Sequence, residues 1–306
     1  MIPLRTALAE YIALRRSVGF KLENAAGVLP SFIDYLERRR ARRITCDLAL
    51  AWAMLPSGKR DLWAVRLSLV RGFARHVQAL DPDTQVPPPD LLPQRRRRAT
   101  PYLYSEAQVT LLVDAARGLD PPLHASTYAT LIGLLASTGM RRGEVIRLDC
   151  QDIDWAHGLL VVRKSKFGKS RELPLHETTM DALRVYARLR DRLCPRPKAP
   201  SFFVSLAGTR LLDHRIHMTF RRLLRSVGIE PRSPRCRPRL HDLRHTFAVR
   251  TLLGWYRAGV DVDSKLPLLS TYLGHFNPST TYWYLSATPE LLSLAARRIE
   301  LAWRRP

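Results

Sequence analysis

The stretch RLHDLRHTFAVR at 239–250 sets His241, Arg244 and His245 at i, i+3 and i+4 in a segment that otherwise turns apolar. On a helix this spacing brings all three side chains to one face. A guanidinium between two imidazoles needs an anion, a metal or a buried carboxylate. A metal would want two or three further His, Asp or Cys ligands at suitable spacing, which the nearby sequence does not supply. Asp242 lies off the His241 and Arg244 face, so a metal-phosphohydrolase reading of the His-Asp pair is weak, and neither a metal nor a cofactor is expected. A second segment, TGMRRGE at 138–144, has Gly139 breaking an apolar run, with Arg141 and Glu144 following at i, i+3. The carboxylate there can hold the arginine in place, although such a pair taken alone is a common surface feature worth little.

Composition favours the anion. Fifty Lys and Arg against 27 Asp and Glu leave a formal charge of +23 on 306 residues, and such a surface seeks polyanions, nucleic acid first. An acidic membrane surface is a poorer partner, because no amphipathic basic anchor stands out and no apolar run approaches the ~20 residues that span a bilayer. The opening MIPLRTALAEYIALRR has no continuous apolar region or cleavage site of a secretory signal. Cys46, Cys150, Cys194 and Cys236 form no CxxC pair. They read as reduced residues of a cytoplasmic protein.

The elements that must position these residues follow from periodicity. From residue 3 to about 80 the pattern is helical, with Leu4, Leu8 and Ile12 in one segment, Val28, Phe32, Tyr35 and Leu36 in a second, and Leu67, Val70, Phe73 and Val77 in another. Arg38, Arg39, Arg40, Arg42 and Arg43 cluster at one helix end. The stretch 89–101 breaks periodicity with prolines and carries four consecutive arginines, Arg95, Arg96, Arg97 and Arg98, which reads as a basic interdomain linker. Residues 1–88 thus form a helical domain and 102–306 a larger one. In the latter, Ser105 is a plausible N-cap for SEAQVTLLVDAA, and a second helix runs through LIGLLASTG at 131–139. GLLVVRK (158–164) and SRELPL (170–175) are short strands around a tight turn holding Lys166. Helices resume from about 176 to 193 and continue to the end. The fold class is mainly α with a small antiparallel β-sheet.

Taken together, TGMRRGE, the hairpin SKFGKSRELPL (165–175), HDLRHTFA (241–248), LGH (273–275) and a tyrosine nine residues later resemble the tyrosine recombinase (phage integrase) family in order and separation. The resemblance covers 102–285, and the small helical domain before it resembles that family's core-binding domain. The longer, aromatic-rich stretch GWYRAGVDVDSKLPLLSTYLGH (254–275) is similar to recombinases carried on transposable elements.

The resemblance implies a site-specific DNA recombinase that cuts double-stranded DNA without metal, by attack of a tyrosine hydroxyl on a backbone phosphate to leave a 3′-phosphotyrosine and a free 5′-hydroxyl. The residue types suit this chemistry. A phosphodiester in its pentavalent transition state gathers negative charge that planar guanidiniums match, and Arg141 and Arg244 would supply them. A phenol with a pKa of about 10 must lose its proton during attack, for which His241 is the candidate base. The departing 5′-oxygen must gain one. Lys166 aligns with the family's general-acid lysine, with Lys164 and Lys169 as neighbours in sequence. His275 falls on the second histidine position, where it would hydrogen-bond the phosphate, and Glu144 on the acidic residue that orients the site. His245 is expected to support the fold without a chemical role.

STTYWYLSA offers Tyr282 and Tyr284 as nucleophiles. On a helix two residues apart they point about 200° from each other, so both cannot face one phosphate, and Tyr284 stands at the family's spacing from His275. After it, Thr288, Pro289, Leu291, Leu292, Ala295, Ile299 and Ala302 outline a final helix with an apolar stripe. That stripe could cover its own domain or dock on a neighbouring protomer. The family implies a homo-oligomer, a tetramer on DNA, with accessory recombinases as further partners. The implied role is integrase or transposase of a mobile element. A DNA-binding or architectural protein that does not cut, or a topoisomerase that nicks and reseals one strand, are the alternatives. The first has no need of the full catalytic set, and an exchange assay between two sites separates the second.

Overall fold

The three-dimensional structure is a computed structural model that describes residues 3–55, 60–92, 100–163, 170–275, 277, 279–286, 290–294 and 296–297. The chain divides into two units, Met1–Arg98 and Ala99–Pro306. Arg95 to Arg98, Lys164, Lys166, Lys169, Thr288 and Pro289 lie outside the described residues.

In the first unit the helical periodicity of the sequence becomes α1 (Leu4–Ser17), α2 (Glu23–Arg38), α3 (Cys46–Met54) and α4 (Arg60–Gln78). Their apolar stripes meet in one core in which Phe32, Leu36, Trp52, Leu67, Val70 and Phe73 are buried. The stripe is three to four residues wide per two turns, the width a helix needs to bury one face. The Thr45 hydroxyl caps α3 by accepting the Leu48 N–H at 3.2 Å. Arg38, Arg39, Arg40, Arg42 and Arg43 are exposed.

The first helix of the second unit is α5 (Glu106–Arg117), which Ser105 caps in a reciprocal box with Gln108. Next comes α6 (Pro122–Thr138), buried on most of its surface, as its nearly continuous apolar run requires. Short α7 (Arg142–Arg147) leads into a three-stranded antiparallel sheet of β1 (Ile153–Asp154), β2 (Leu159–Val162) and β3 (Arg171–Pro174) in that order. Leu160 pairs with Leu173 and Val162 with Arg171. The two-residue strand β1 is too short for any alternation to show in the sequence. Then come α8 (Glu177–Leu193) and α9 (Asp213–Ser226), which complete the main core.

The segment 239–257 becomes α10 (Asp242–Arg257), and the aromatic-rich stretch after it resolves into the end of that helix, a turn and α11 (Val262–Leu273). Short α12 (Ser279–Tyr282) and a 3₁₀ turn, Trp283–Ser286, follow. Val249, Leu252, Leu266, Leu269, Leu273, Tyr284 and Leu291 form a separate apolar cluster. Leu291 is therefore covered by its own domain, whereas Leu292 is exposed. No helix among the described residues is long and apolar enough to cross a membrane.

Candidate active site

Gly139 starts the site. It ends α6 in the left-handed conformation at φ +61°, and a Cβ there would stand 2.6 Å from the Phe247 ring. Only glycine satisfies both constraints at once. The chain then turns so that Arg141 sits at the N-terminal cap of α7 and Glu144 in its first turn. Glu144, buried at 4% exposure, accepts the Arg141 backbone N–H at 2.9 Å and its guanidinium at 2.8 Å. Here the i, i+3 pair is no surface decoration.

A third partner closes on the same carboxylate. Arg171, at the start of β3, donates from both Nη atoms to Glu144 at 3.0 and 2.8 Å, and from Nε to the Tyr272 carbonyl at 2.8 Å. Burial pushes the Glu144 carboxyl up, but the hydrogen bonds and charge of Arg171, with those of Arg141, outweigh it and hold the group down at about 2.

Arg244 comes from the first turn of α10 and is 2% exposed. Its guanidinium donates to the Gly139 carbonyl and to the Leu273 carbonyl, each at 2.8 Å. Arg141 donates to the next carbonyl along, Gly274, at 2.7 Å. Two guanidiniums thus hang from consecutive carbonyls at the end of α11, where the helix leaves carbonyls without intrahelical donors and presents the negative end of its dipole. Gly274 is left-handed at φ +68°, and a Cβ on it would meet Arg171 Nη1 at 2.8 Å. Burial, and then Arg141, push the Arg244 guanidinium down to about 10.

The imidazoles complete the group. Burial, followed by Arg244, lowers His241 to about 4 and His275 to about 3, so both are neutral near pH 7. Three guanidiniums against the single Glu144 carboxylate leave a surplus of two positive charges at this spot. The nearby Asp242 is fully buried and committed to Arg239, whose guanidinium it accepts at 2.9 and 3.1 Å. His275 Nδ1 lies 2.7 Å from the Thr281 hydroxyl, and its ring stacks on Tyr284 with centroids 6.1 Å apart.

Tyr284 is 2% exposed and Tyr282 51% exposed. Only Tyr284 of the two is buried, and the chain tightens from α-helix into a 3₁₀ turn between them. The imidazole on the Tyr284 hydroxyl is that of His245, with Nδ1 at 3.2 Å.

Arg141, Glu144, His241, Arg244, His275 and Tyr284 therefore converge, while Lys166 and Arg95 to Arg98 lie outside the described residues. Sequence reading missed Arg171 and the contact of His245. The signal for Arg171 was its strand parity: it shares a face with buried Leu173, so a charge at 171 had to find a buried partner.

The match to the phage integrase family spans residues 103–290, which takes in all of these side chains. The chain belongs to the phage integrase family of tyrosine recombinases. It is 44% identical to y4rB of Sinorhizobium fredii, a protein named as an integrase/recombinase, over 99% of both chains. Its fold matches the Tn1549 transposon integrase in complex with a circular intermediate DNA, with TM-score 0.64 at 18% identity over 98% of this chain and 100% of that one. It also matches a lambda integrase tetramer bound to a Holliday junction, with TM-score 0.62 at 18% identity over 92% and 77% of the two chains. This recombinase thus has the family's fold, and its catalytic chemistry is that of site-specific recombination.

Proposed function

We propose that the recombinase receives one backbone phosphate of double-stranded DNA between Arg141 and Arg244 and that Tyr284 attacks it. The observation that carries this reading is the pair of guanidiniums anchored on the successive carbonyls of Leu273 and Gly274 with a surplus of two positive charges, beside a buried tyrosine hydroxyl. A phosphodiester brings one negative charge and its transition state a second, so the surplus matches the charge as it develops. The anchors leave the remaining guanidinium N–H groups for non-bridging oxygens. His275 and His241, neutral near pH 7, can each offer a ring N–H to the same oxygens. Glu144 fixes Arg141 and takes no part in the bond changes.

The Tyr284 oxygen forms a bond to phosphorus as the bond to the 5′-oxygen breaks, giving a 3′-phosphotyrosine. Lys166 gives a proton to the departing oxygen. Religation by a 5′-hydroxyl from a second duplex runs these steps backwards and completes the exchange. The tetrameric assembly of lambda integrase supports a homotetramer on two duplexes. The kinship with y4rB and the likeness to the Tn1549 integrase support a role in moving a mobile element.

The test is covalent capture. A pool of duplexes with randomised interiors is incubated with the recombinase, denatured in detergent, and the DNA attached to protein is sequenced. Adducts on one recurrent sequence are expected from the unaltered chain and from Tyr282→Phe. Tyr284→Phe should bind that sequence and form none, and adducts from that variant would overturn the assignment.

A further inference from the structure

The Tyr284 hydroxyl needs a proton acceptor, and the geometry around it is specific. His245 Nδ1 lies 3.2 Å from the hydroxyl. On the opposite edge of the same ring, Nε2 faces Asp242 Oδ1 at 4.0 Å. Asp242 and His245 are one turn apart on α10, which places them on a common face. The ring is fixed between two others: His241 lies edge-on to it with centroids 4.8 Å apart, and Trp283 packs on it at 5.5 Å.

A separation of 4.0 Å is too long for a hydrogen bond, so Asp242 acts on the imidazole through its charge. A carboxylate on the Nε2 side favours the tautomer that carries its hydrogen there. Nδ1 is then left with a lone pair aimed at the tyrosine O–H. Asp242 itself is held rigid by Arg239, which donates to it from the backbone N–H at 3.0 Å as well as from the guanidinium. The result is a carboxylate, an imidazole and a hydroxyl in sequence, the arrangement by which a base is oriented and a nucleophile is activated.

Resting on the reading of Tyr284 as nucleophile, we propose that His245 takes the proton from Tyr284 as its oxygen attacks, with Asp242 holding the imidazole in the tautomer this requires. The tyrosine O–H bond breaks, an N–H bond forms at His245 Nδ1, and the oxygen's electron pair goes to phosphorus while the 5′-oxygen leaves with the electrons of the broken bond. The imidazolium so formed is stabilised by the Asp242 carboxylate. On religation His245 returns the same proton to the tyrosine oxygen. By residue type alone this task falls to His241, whose place beside Arg244 and Arg141 suits the phosphate better. His241 is lowered to about 4 by burial and Arg244, which makes it a poor proton acceptor near pH 7.

The experiment measures the rate of adduct formation on the captured duplex. His245→Asn keeps a polar group near the position of Nδ1 but cannot accept a proton, and it should slow adduct formation by roughly 10²- to 10⁴-fold with DNA binding retained. His245→Ala should be as slow and should regain rate with added imidazole. If Tyr284→Phe still forms adducts, the reading of the nucleophile has failed. If Tyr284→Phe forms none while His245→Asn reacts at the full rate, that reading stands and this inference alone is overturned. Should the His245 variants not fold, the ¹⁵N spectrum of the unaltered chain decides. The imidazole that responds to Tyr284→Phe should carry its hydrogen on Nε2, and a hydrogen on Nδ1 overturns the proposal.

Discussion

Arg171 lays both prongs of its guanidinium on the two oxygens of Glu144, at 3.0 and 2.8 Å, although the residues lie on different elements 27 positions apart. The fork ties the hairpin to α7 and, through the shared carboxylate, to Arg141. Arg171→Met should leave Glu144 buried with Arg141 as its remaining guanidinium partner and cost about 3–5 kcal/mol. Arg171→Lys keeps the charge but loses the fork and should fall between the two. Urea unfolding reads this directly, and a loss below about 1 kcal/mol for Arg171→Met would remove Arg171 from the site's support.

The DNA-free chain should be most stable near neutrality and weaken with acid in two stages. His241 and His275 sit at about 4 and about 3 in the folded state, below the roughly 6.5 of an unfolded imidazole. The unfolded state therefore binds more protons, so their contribution is full above about pH 6.5 and fades as pH falls toward those folded values. Glu144, held at about 2 against an ordinary value of 4.5, acts with the same sign over a lower window. Its contribution is present above about 4.5 and is lost as pH falls through about 2, and is on the order of 3 kcal/mol. Unfolding free energies measured from about pH 7.5 down to about pH 3 should fall steadily, and less steeply for His275→Asn. A flat profile would contradict the burial of these groups.

Lys166→Ala should slow cleavage of ordinary DNA by about 10²- to 10⁴-fold, the usual loss for a removed general acid. A duplex with sulfur in place of the bridging 5′-oxygen has a leaving group that needs no proton, and it should be cut by the variant nearly as fast as by the unaltered chain. If both substrates are cut equally slowly, the acid is another residue, and Lys164 and Lys169 are next to be replaced.

Replacing Arg95, Arg96, Arg97 and Arg98 together by alanine should flatten the dependence of log affinity on log salt, by up to about 0.9 for each phosphate the run neutralises. The four consecutive charges motivate this. An unchanged slope in a binding titration would mean that the run is only a solvated tether.

The fold class was readable from sequence because its elements carry strong local signals. Ser105 marks a helix start, Gly139 a helix stop, and the two short strand-like runs 158–164 and 170–175 a hairpin. Arg141, Glu144, Arg244, His275 and Tyr284 could be singled out because their spacing repeats a family pattern, and the fold brings them close together. What stayed hidden depends on long-range contact. Arg171 reaches Glu144 through the register of β2 and β3, and His245 meets Tyr284 only because a 3₁₀ turn 39 positions later folds back onto α10. Local periodicity carries no information about such closures.

The carbonyls of Leu273 and Gly274 impose a rule on how this chain can change length. Because they are consecutive and each holds a different guanidinium, inserting or deleting one residue at that point would unhook Arg141 and Arg244 together. A substitution at 273 leaves its backbone oxygen in place, whereas any side chain at 274 would meet the Arg171 guanidinium. The last turn of α11 must therefore keep its count.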